Sequence, residues 1–272
     1  MLDYLELIFW PLIASFVLTG IHVYFGLHVV KRGVIFVDLA LAQVAALGTA
    51  IGILIGLGHD SFPTYLIGLG FTFLGALLFS VTKSKNERIP QESIIGITYV
   101  VAAAMMILLF SKSPEGAEHL NHLLVGSILF ISPEVVGITF LLYCAIGIFH
   151  WKFRHQFLMA SNPQYTDQFK SQRLWDFLFY VTFGLVVTSS VKIAGVLLVF
   201  SFLIIPAVSA VLFIKGDAKR LLFGWAFGII GSMSGMIASM IFDVPTGATI
   251  VVTFGFMLSI LGILKIRSQT EK

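Results

Sequence analysis

Gly195-Val196-Leu197-Leu198-Val199-Phe200-Ser201-Phe202-Leu203-Ile204-Ile205-Pro206-Ala207-Val208-Ser209-Ala210-Val211-Leu212-Phe213-Ile214 contains no charged residue. Its length matches the ~20 residues that carry an α-helix across ~30 Å of hydrocarbon. Long uncharged runs separated by short charged clusters are the pattern of a helical membrane protein; a barrel would show alternating strands of about ten residues. Eight further stretches of the same kind occupy residues 7–30, 34–57, 62–82, 93–110, 135–150, 177–191, 221–242 and 249–264. The expected fold is therefore all-α and polytopic, with about nine transmembrane helices. The stretches 135–150 and 177–191 are short, and residues 119–132 are too few to span alone, so the count lies between eight and ten, with a half-helix or re-entrant piece at 119–132.

Composition points the same way. Hydrophobic residues make up 58% of the 272 positions and charged residues 11%, against roughly 25% charged in soluble domains. The single cysteine, Cys144, lies inside an apolar run and leaves no disulfide to form within the chain. The run at 7–30 follows Asp3 and Glu6, not a basic segment, and is too long for a cleaved signal, so it reads as a retained span. No linker or low-complexity tract appears, so residues 1–272 read as one membrane domain.

With nine crossings, the loops alternate in charge. Fifteen of the 17 basic residues fall in one alternating set, and only Lys112 and Lys192 in the other. The basic set is the cytoplasmic one, which places the amino terminus outside and the carboxyl terminus inside. The longest internal loop, residues 151–174, is the best candidate for a docking surface.

Small residues mark helices that pack closely. Gly231 and Gly235 are four apart and continue to Ser239, with Gly224, Gly228 and Ser232 on a neighbouring ridge. The stretch 34–57 is equally rich in Ala and Gly and is expected to be buried among other helices. Pro206 removes a backbone donor to the Phe202 carbonyl and predicts a kink, either static or a hinge. Asp38 and Gln43 lie in the second span, where a lipid-facing carboxylate would cost ~2.5–3.5 kcal/mol. Asp38 either snorkels or pairs with a base such as Arg32, or it lines a path. Gln43 reads equally as an interhelical hydrogen bond or a path residue, and His22 and His28 are similarly open. On a helical outer segment Glu118, His119 and His122 would converge at i, i+3 and i+4 spacing, and imidazole with carboxylate suits divalent transition metals; three polar residues at a water-facing helix start also need no metal.

No phosphate-binding G-x-x-x-x-G-K-[ST] loop, nucleophile triad or Cys/His zinc constellation occurs, so an enzymatic reading has no support.

Four stretches resemble one family, the ABC permeases for zinc, manganese and iron. The first is Arg32-Gly33 followed by the helix through Asp38, Gln43 and Gly48; the second is Leu123-Leu124-Val125-Gly126-Ser127-Ile128-Leu129. The third is Val191-Lys192-Ile193-Ala194-Gly195 with Pro206-Ala207-Val208-Ser209-Ala210, and the fourth Asp243-Val244-Pro245-Thr246-Gly247-Ala248. The resemblance implies a type II importer permease in the bacterial inner membrane. Its implied partners are two cytoplasmic ATPase subunits, an extracytoplasmic metal-binding protein and a second permease, the same or different. It implies a transported divalent metal ion and no permanently bound cofactor; nucleic acid is not among the expected partners.

The sequence departs from the family at one place. The family's Asp and His of the second helix fall on Leu39 and Gln43, and Asp38 is displaced by one residue, about 100° round the helix. An iron-chelate or cobalamin permease would suit a path without His, and an ion-coupled secondary transporter would need intramembrane ionisable groups that are scarce here. The expected path runs by Asp38, Gln43 and Ser209, with Glu118, His119 and His122 at its outer entry. ATPase coupling is expected at residues 162–170. Asn162 is suited to a cap, Pro163 to the first helical position, and Tyr165 and Phe169 form an aromatic face; the other reading is an amphipathic helix on the headgroups. In the family an apolar strand-like run precedes this segment, and residues 157–161 stand in its place.

Overall fold

The computed structural model describes residues 2–58, 61–83, 89–111, 126, 128–162 and 171–270, with side chains from residue 8 to 265. Nine α-helices are described: α1 (Leu2–Arg32), α2 (Val37–Leu54), α3 (Phe62–Thr82), α4 (Gln91–Phe110), α5 (Pro133–Lys152), α6 (Arg154–Ser161), α7 (Gln172–Phe213), α8 (Asp217–Phe242) and α9 (Thr246–Thr270), with a 3₁₀ turn at Ile128–Phe130. Eight of them are long and apolar enough to cross a membrane. Each apolar stretch of the sequence forms the body of one of these helices, 34–57 narrowing to Val37–Leu54, but residues 177–191 and 195–213 share α7. That helix has 42 residues, about 63 Å if straight and twice the ~30 Å of hydrocarbon. It is broken at Gly195, where φ 74 and ψ 162 leave the helical region. Residues 172–194 and 196–213 are thus two span-length pieces joined without a loop, which is how nine stretches come to occupy eight helices. Pro206 lies inside the second piece, and the departure from helical dihedrals falls at Gly195.

The helix ends follow local rules. At the end of α1, Gly33 takes φ 67 while its N–H donates to Val30 and that of Val34 to Val29, a left-handed glycine stop. Ser61 caps α3 by accepting from the Thr64 N–H, with proline in the first turn. The carbonyls at the end of α7 take donors from bases: Arg220 Nε donates to Ile214 and Lys265 Nζ to Leu212. After α8, Asp243 adopts φ 52, and Ser239 Oγ, which donates to the Val244 carbonyl, bonds Thr246 at 2.8 Å, closing the Asp-Val-Pro-Thr turn.

The chain packs as two compact units. The first comprises residues 1–27, 125–141 and 193–272; the second, residues 28–124 and 142–192. In the first unit helices meet at glycines. A Cβ at Gly26 would lie 2.0 Å from the Leu203 carbonyl oxygen, at Gly224 2.4 Å from Val23, at Gly228 2.6 Å from Thr19, and at Gly235 2.7 Å from the Ile250 Cα. The Gly231–Gly235 ridge therefore packs within the subunit against α9. Trp225 Nε1 donates to the Gly20 carbonyl. Gly126, with φ +65, lies where a Cβ would meet the Ala194 carbonyl carbon at 2.2 Å, so the two glycines of separate sequence motifs face each other at the α7 break.

In the second unit α2 packs against α3 and α4. Val44, Ala46 and Leu47 meet Ala102 and Met106, and Gly48 lies against Phe71 and the Ile67 carbonyl. The small-residue helix is buried as its composition requires. Thr72 bonds Thr188 at 3.0 Å, and Tyr143 bonds Ser189 at 3.1 Å as well as Ser190, interhelical polar contacts suited to a lipid-immersed protein.

Candidate functional site

Asp38 opens α2 and is 2% exposed; Gln43, one and a half turns on, is 7% exposed. The backbone N–H of Phe36, at the amino end of α2, donates to Glu92 Oε1 at 3.0 Å, so a carboxylate from α4 caps α2. Asp38 Oδ1 and Glu92 Oε2 are buried without a hydrogen-bond partner. A buried carboxylate oxygen without a donor is costly, and it leaves acceptor capacity for a proton or a cation. Asp38 neither snorkels nor pairs with Arg32, because Arg32 turns to Asp176.

The charged groups of the second unit gather where helix ends meet. Asp176, in the first turns of α7 and 1% exposed, accepts from Arg32 Nη1 at 2.5 Å and from Lys83 Nζ at 2.8 Å. Arg32 ends α1 and Lys83 follows α3, so the cations sit at helix carboxyl ends and the carboxylate at an amino end, the arrangement helix dipoles favour. The Arg32 guanidinium lies 3.9 Å above the Phe179 ring centre, a cation–π contact. Burial, and then the Arg32 charge, pull the Lys83 ammonium below its ordinary pKa, and Asp176 partly restores it. Gln91 Nε2 donates to Tyr180 Oη and to the Phe79 carbonyl.

The short helix α6 is fastened along its buried face, at Phe157 and one turn later at Ser161. His150 stacks on Phe157 at 3.9 Å and 8°, and Trp175 lies edge-on to Phe157 at 5.2 Å. His150 Nε2 bonds Thr182 Oγ1 at 2.8 Å; because that hydroxyl donates to the Leu178 carbonyl, the imidazole is the donor. Ser161, the last residue of α6 and 1% exposed, accepts from Arg32 Nε at 2.9 Å and bonds His28 Nδ1 at 2.8 Å. Residues 157–161, compared above with a strand-like run, are helical here: Phe157 and Ala160 face inward, and His150 and Trp175 supply a flat surface that a helical turn covers.

Of the remaining residues singled out in the sequence, Ser209 is fully buried on α7 and donates to the Ile205 carbonyl at 2.8 Å. His22 is buried on α1, with Nδ1 donating to the Leu18 carbonyl. Asn162 ends α6, its N–H donating to Met159. Glu118, His119, His122, Tyr165 and Phe169 lie outside the described residues. Among the described residues no three His, Cys, Asp or Glu form a metal-sized group. The Arg32–Asp176–Lys83–Ser161 cluster was not anticipated; the basic residues ending the first and third stretches were its one visible signal.

Residues 4–264 match the model of the ABC 3 transport family. The manganese transport system membrane protein MntC of Halalkalibacterium halodurans is 27% identical over 232 residues, covering 80% of this chain and 77% of its own. A Haemophilus influenzae protein named "Probable iron transport system membrane protein" is 27% identical over 246 residues, covering 88% and 82%. The solved PsaBC from Streptococcus pneumoniae in complex with Fab superposes with a TM-score of 0.76 at 24% identity, covering 96% of this chain and 93% of that one, and so shares the fold.

Proposed function

The chain belongs to the ABC 3 transport family, and from that membership we propose that it is the permease of an ATP-binding cassette importer carrying a divalent transition-metal ion across the bacterial inner membrane. The match over residues 4–264, nearly the whole chain, carries this reading. The permease is a non-catalytic subunit; ATP is hydrolysed by a separate chain. Manganese and iron are the ions named for its relatives, and zinc comes from the motif resemblance. An extracytoplasmic binding protein delivers the ion and a second permease completes the pore. The fifteen-to-two split of basic residues supports an external amino terminus.

The translocation path includes the α2 residues Asp38 and Gln43 and, on α7, Ser209 beside Pro206. A buried carboxylate oxygen without a donor and an amide oxygen are hard ligands that suit manganese. Asp38 and Gln43 stand about 140° apart round the helix, so they serve successive positions of the ion. Glu118, His119 and His122 form the outer entry, and Asn162, Tyr165 and Phe169 the ATPase contact.

Reconstitution with the cognate ATPase and binding protein, followed by transport of a metal panel, tests the function; transport of none of the three ions removes it. Alanine at Gln43 or His122 should lower uptake at an unchanged amount of assembled complex, and unaltered transport in both removes these assignments. Gln43, standing where the family carries His, favours a chelated metal as the second reading, which uptake of free against chelated metal separates. Uptake that proceeds without ATP would mark a secondary transporter.

A further inference from the structure

We propose that Ser161, held by Arg32 and His28 and backed by Asp176 and Lys83, is the joint that carries the ATPase stroke into the membrane helices. The proposal rests on the reading that the ATPase docks on residues 162–170, the segment that leaves Ser161. At this joint the carboxyl ends of α1 and α6 and the lysine following α3 meet the amino end of α7. Ser161 Oγ accepts from Arg32 Nε at 2.9 Å and bonds His28 Nδ1 at 2.8 Å. Through Arg32 the same hydroxyl is tied to Asp176, and through Asp176 to Lys83. On the same face, one turn earlier, α6 is held by the stack of His150 on Phe157, so both turns of this short helix are anchored.

The chemistry is poor glue and good gearing. Two cations share one carboxylate, with Arg32 2% and Asp176 1% exposed; such buried ion pairs seldom stabilise more than apolar packing would, whereas their directional bonds fix one geometry. A displacement of Ser161 reaches α1 through two hydrogen bonds and α7 through the ion pair, the kind of contiguous network that can carry coupling between sites.

The test uses the whole transporter, reconstituted with its ATPase and binding protein, and reads metal ions moved per ATP hydrolysed. Ser161→Ala and His28→Phe remove the Ser161–His28 bond from its two ends, and Ser161→Ala also removes the bond from Arg32. Each should still co-purify with the ATPase and hydrolyse ATP, yet move fewer ions per ATP: about tenfold fewer in Ser161→Ala, the order of a lost hydrogen bond to a charged group, and a smaller reduction in the His28 variant, which keeps the Arg32 bond. Ser161→Thr, which keeps the hydroxyl, should recover most of the ratio. An unchanged ratio in whichever variant assembles overturns the joint. Failure of both to assemble would make the cluster an element of the fold alone, and likewise overturns it. Replacing Tyr165 and Phe169 with serine tests the docking reading separately: lost ATPase association alongside an unchanged Ser161→Ala ratio leaves docking standing and the joint refuted, and normal association and transport remove both.

Discussion

The two units hold their helices by different means. In the first, contact depends on the absence of side chains: Gly26, Gly224, Gly228 and Gly235 bring helices so close that any Cβ would collide. In the second, α2 and α3 meet at Gly48 in the same fashion, but the helix ends are gathered by Asp176 with Arg32 and Lys83, and by Ser161 with His28. Among the described residues, the ion pair of the first unit, Arg220 with Asp217, is a surface contact at 3.9 Å, worth about 1 kcal/mol at most. Lipid gives helices no hydrophobic reason to associate, so both units use close van der Waals packing, and the second adds polar bonding at its helix ends. Close packing tolerates no added atom. Polar bonding tolerates size changes but not the loss of the one carboxylate that both cations share.

That contrast is broken most severely at Asp176. Asp176→Asn leaves two cations near one neutral amide and should cost about 3–5 kcal/mol, read as a lower thermal midpoint in detergent; a cost below ~1 kcal/mol would mean that the second unit is not held by its charges. Next comes Gly126→Ala, which forces a Cβ to 2.2 Å from backbone at a positive φ and should cost about 2–4 kcal/mol through overpacking and strain. A well-folded Gly126→Ala would show that the first unit yields where it looks rigid.

Lys83 sharpens the comparison within the cluster. Its pKa is lowered on folding from 10.5, so between its folded value and 10.5 the unfolded chain binds more protons and stability gains with rising pH from this residue. The cost of holding it charged is fully present below the folded value and is relieved toward 10.5. Lys83→Met should remove that gain, cost less than about 1 kcal/mol at neutral pH because Arg32 still neutralises Asp176, and separate from the wild type only on the alkaline side of a thermal-stability pH series. The smallest effect is expected at Gly255 of α9, where a Cβ meets nothing within 4 Å: Gly255→Ala should be neutral or stabilising by up to ~1 kcal/mol from helix propensity, in contrast to Gly231→Ala on the packed ridge.

The helices were legible because lipid demands long apolar runs, and eight of the described helices carry them. The shared helix α7 was not, since one glycine with left-handed φ replaces the loop expected between residues 191 and 195 and only Lys192 marks the place. The charged cluster was hidden by distance along the chain: Arg32 and Asp176 are 144 residues apart, whereas Asp38 stands close to Arg32 in sequence and drew the pairing. Helical periodicity also gives no direction for a lone hydroxyl. Ser209 gives its proton to its own helix at Ile205, which leaves only its oxygen to face the proposed path.

The edge-on contact between Trp175 and Phe157 also has an optical consequence. Indole emission is sensitive to such close neighbours, and Trp175 lies one residue from Asp176 and across from the helix that Ser161 ends. The chain has four tryptophans, and replacing Trp10, Trp151 and Trp225 with phenylalanine would leave a single emitter beside the cluster. Such a protein would report the position of α6 by its own fluorescence during turnover, with no attached dye.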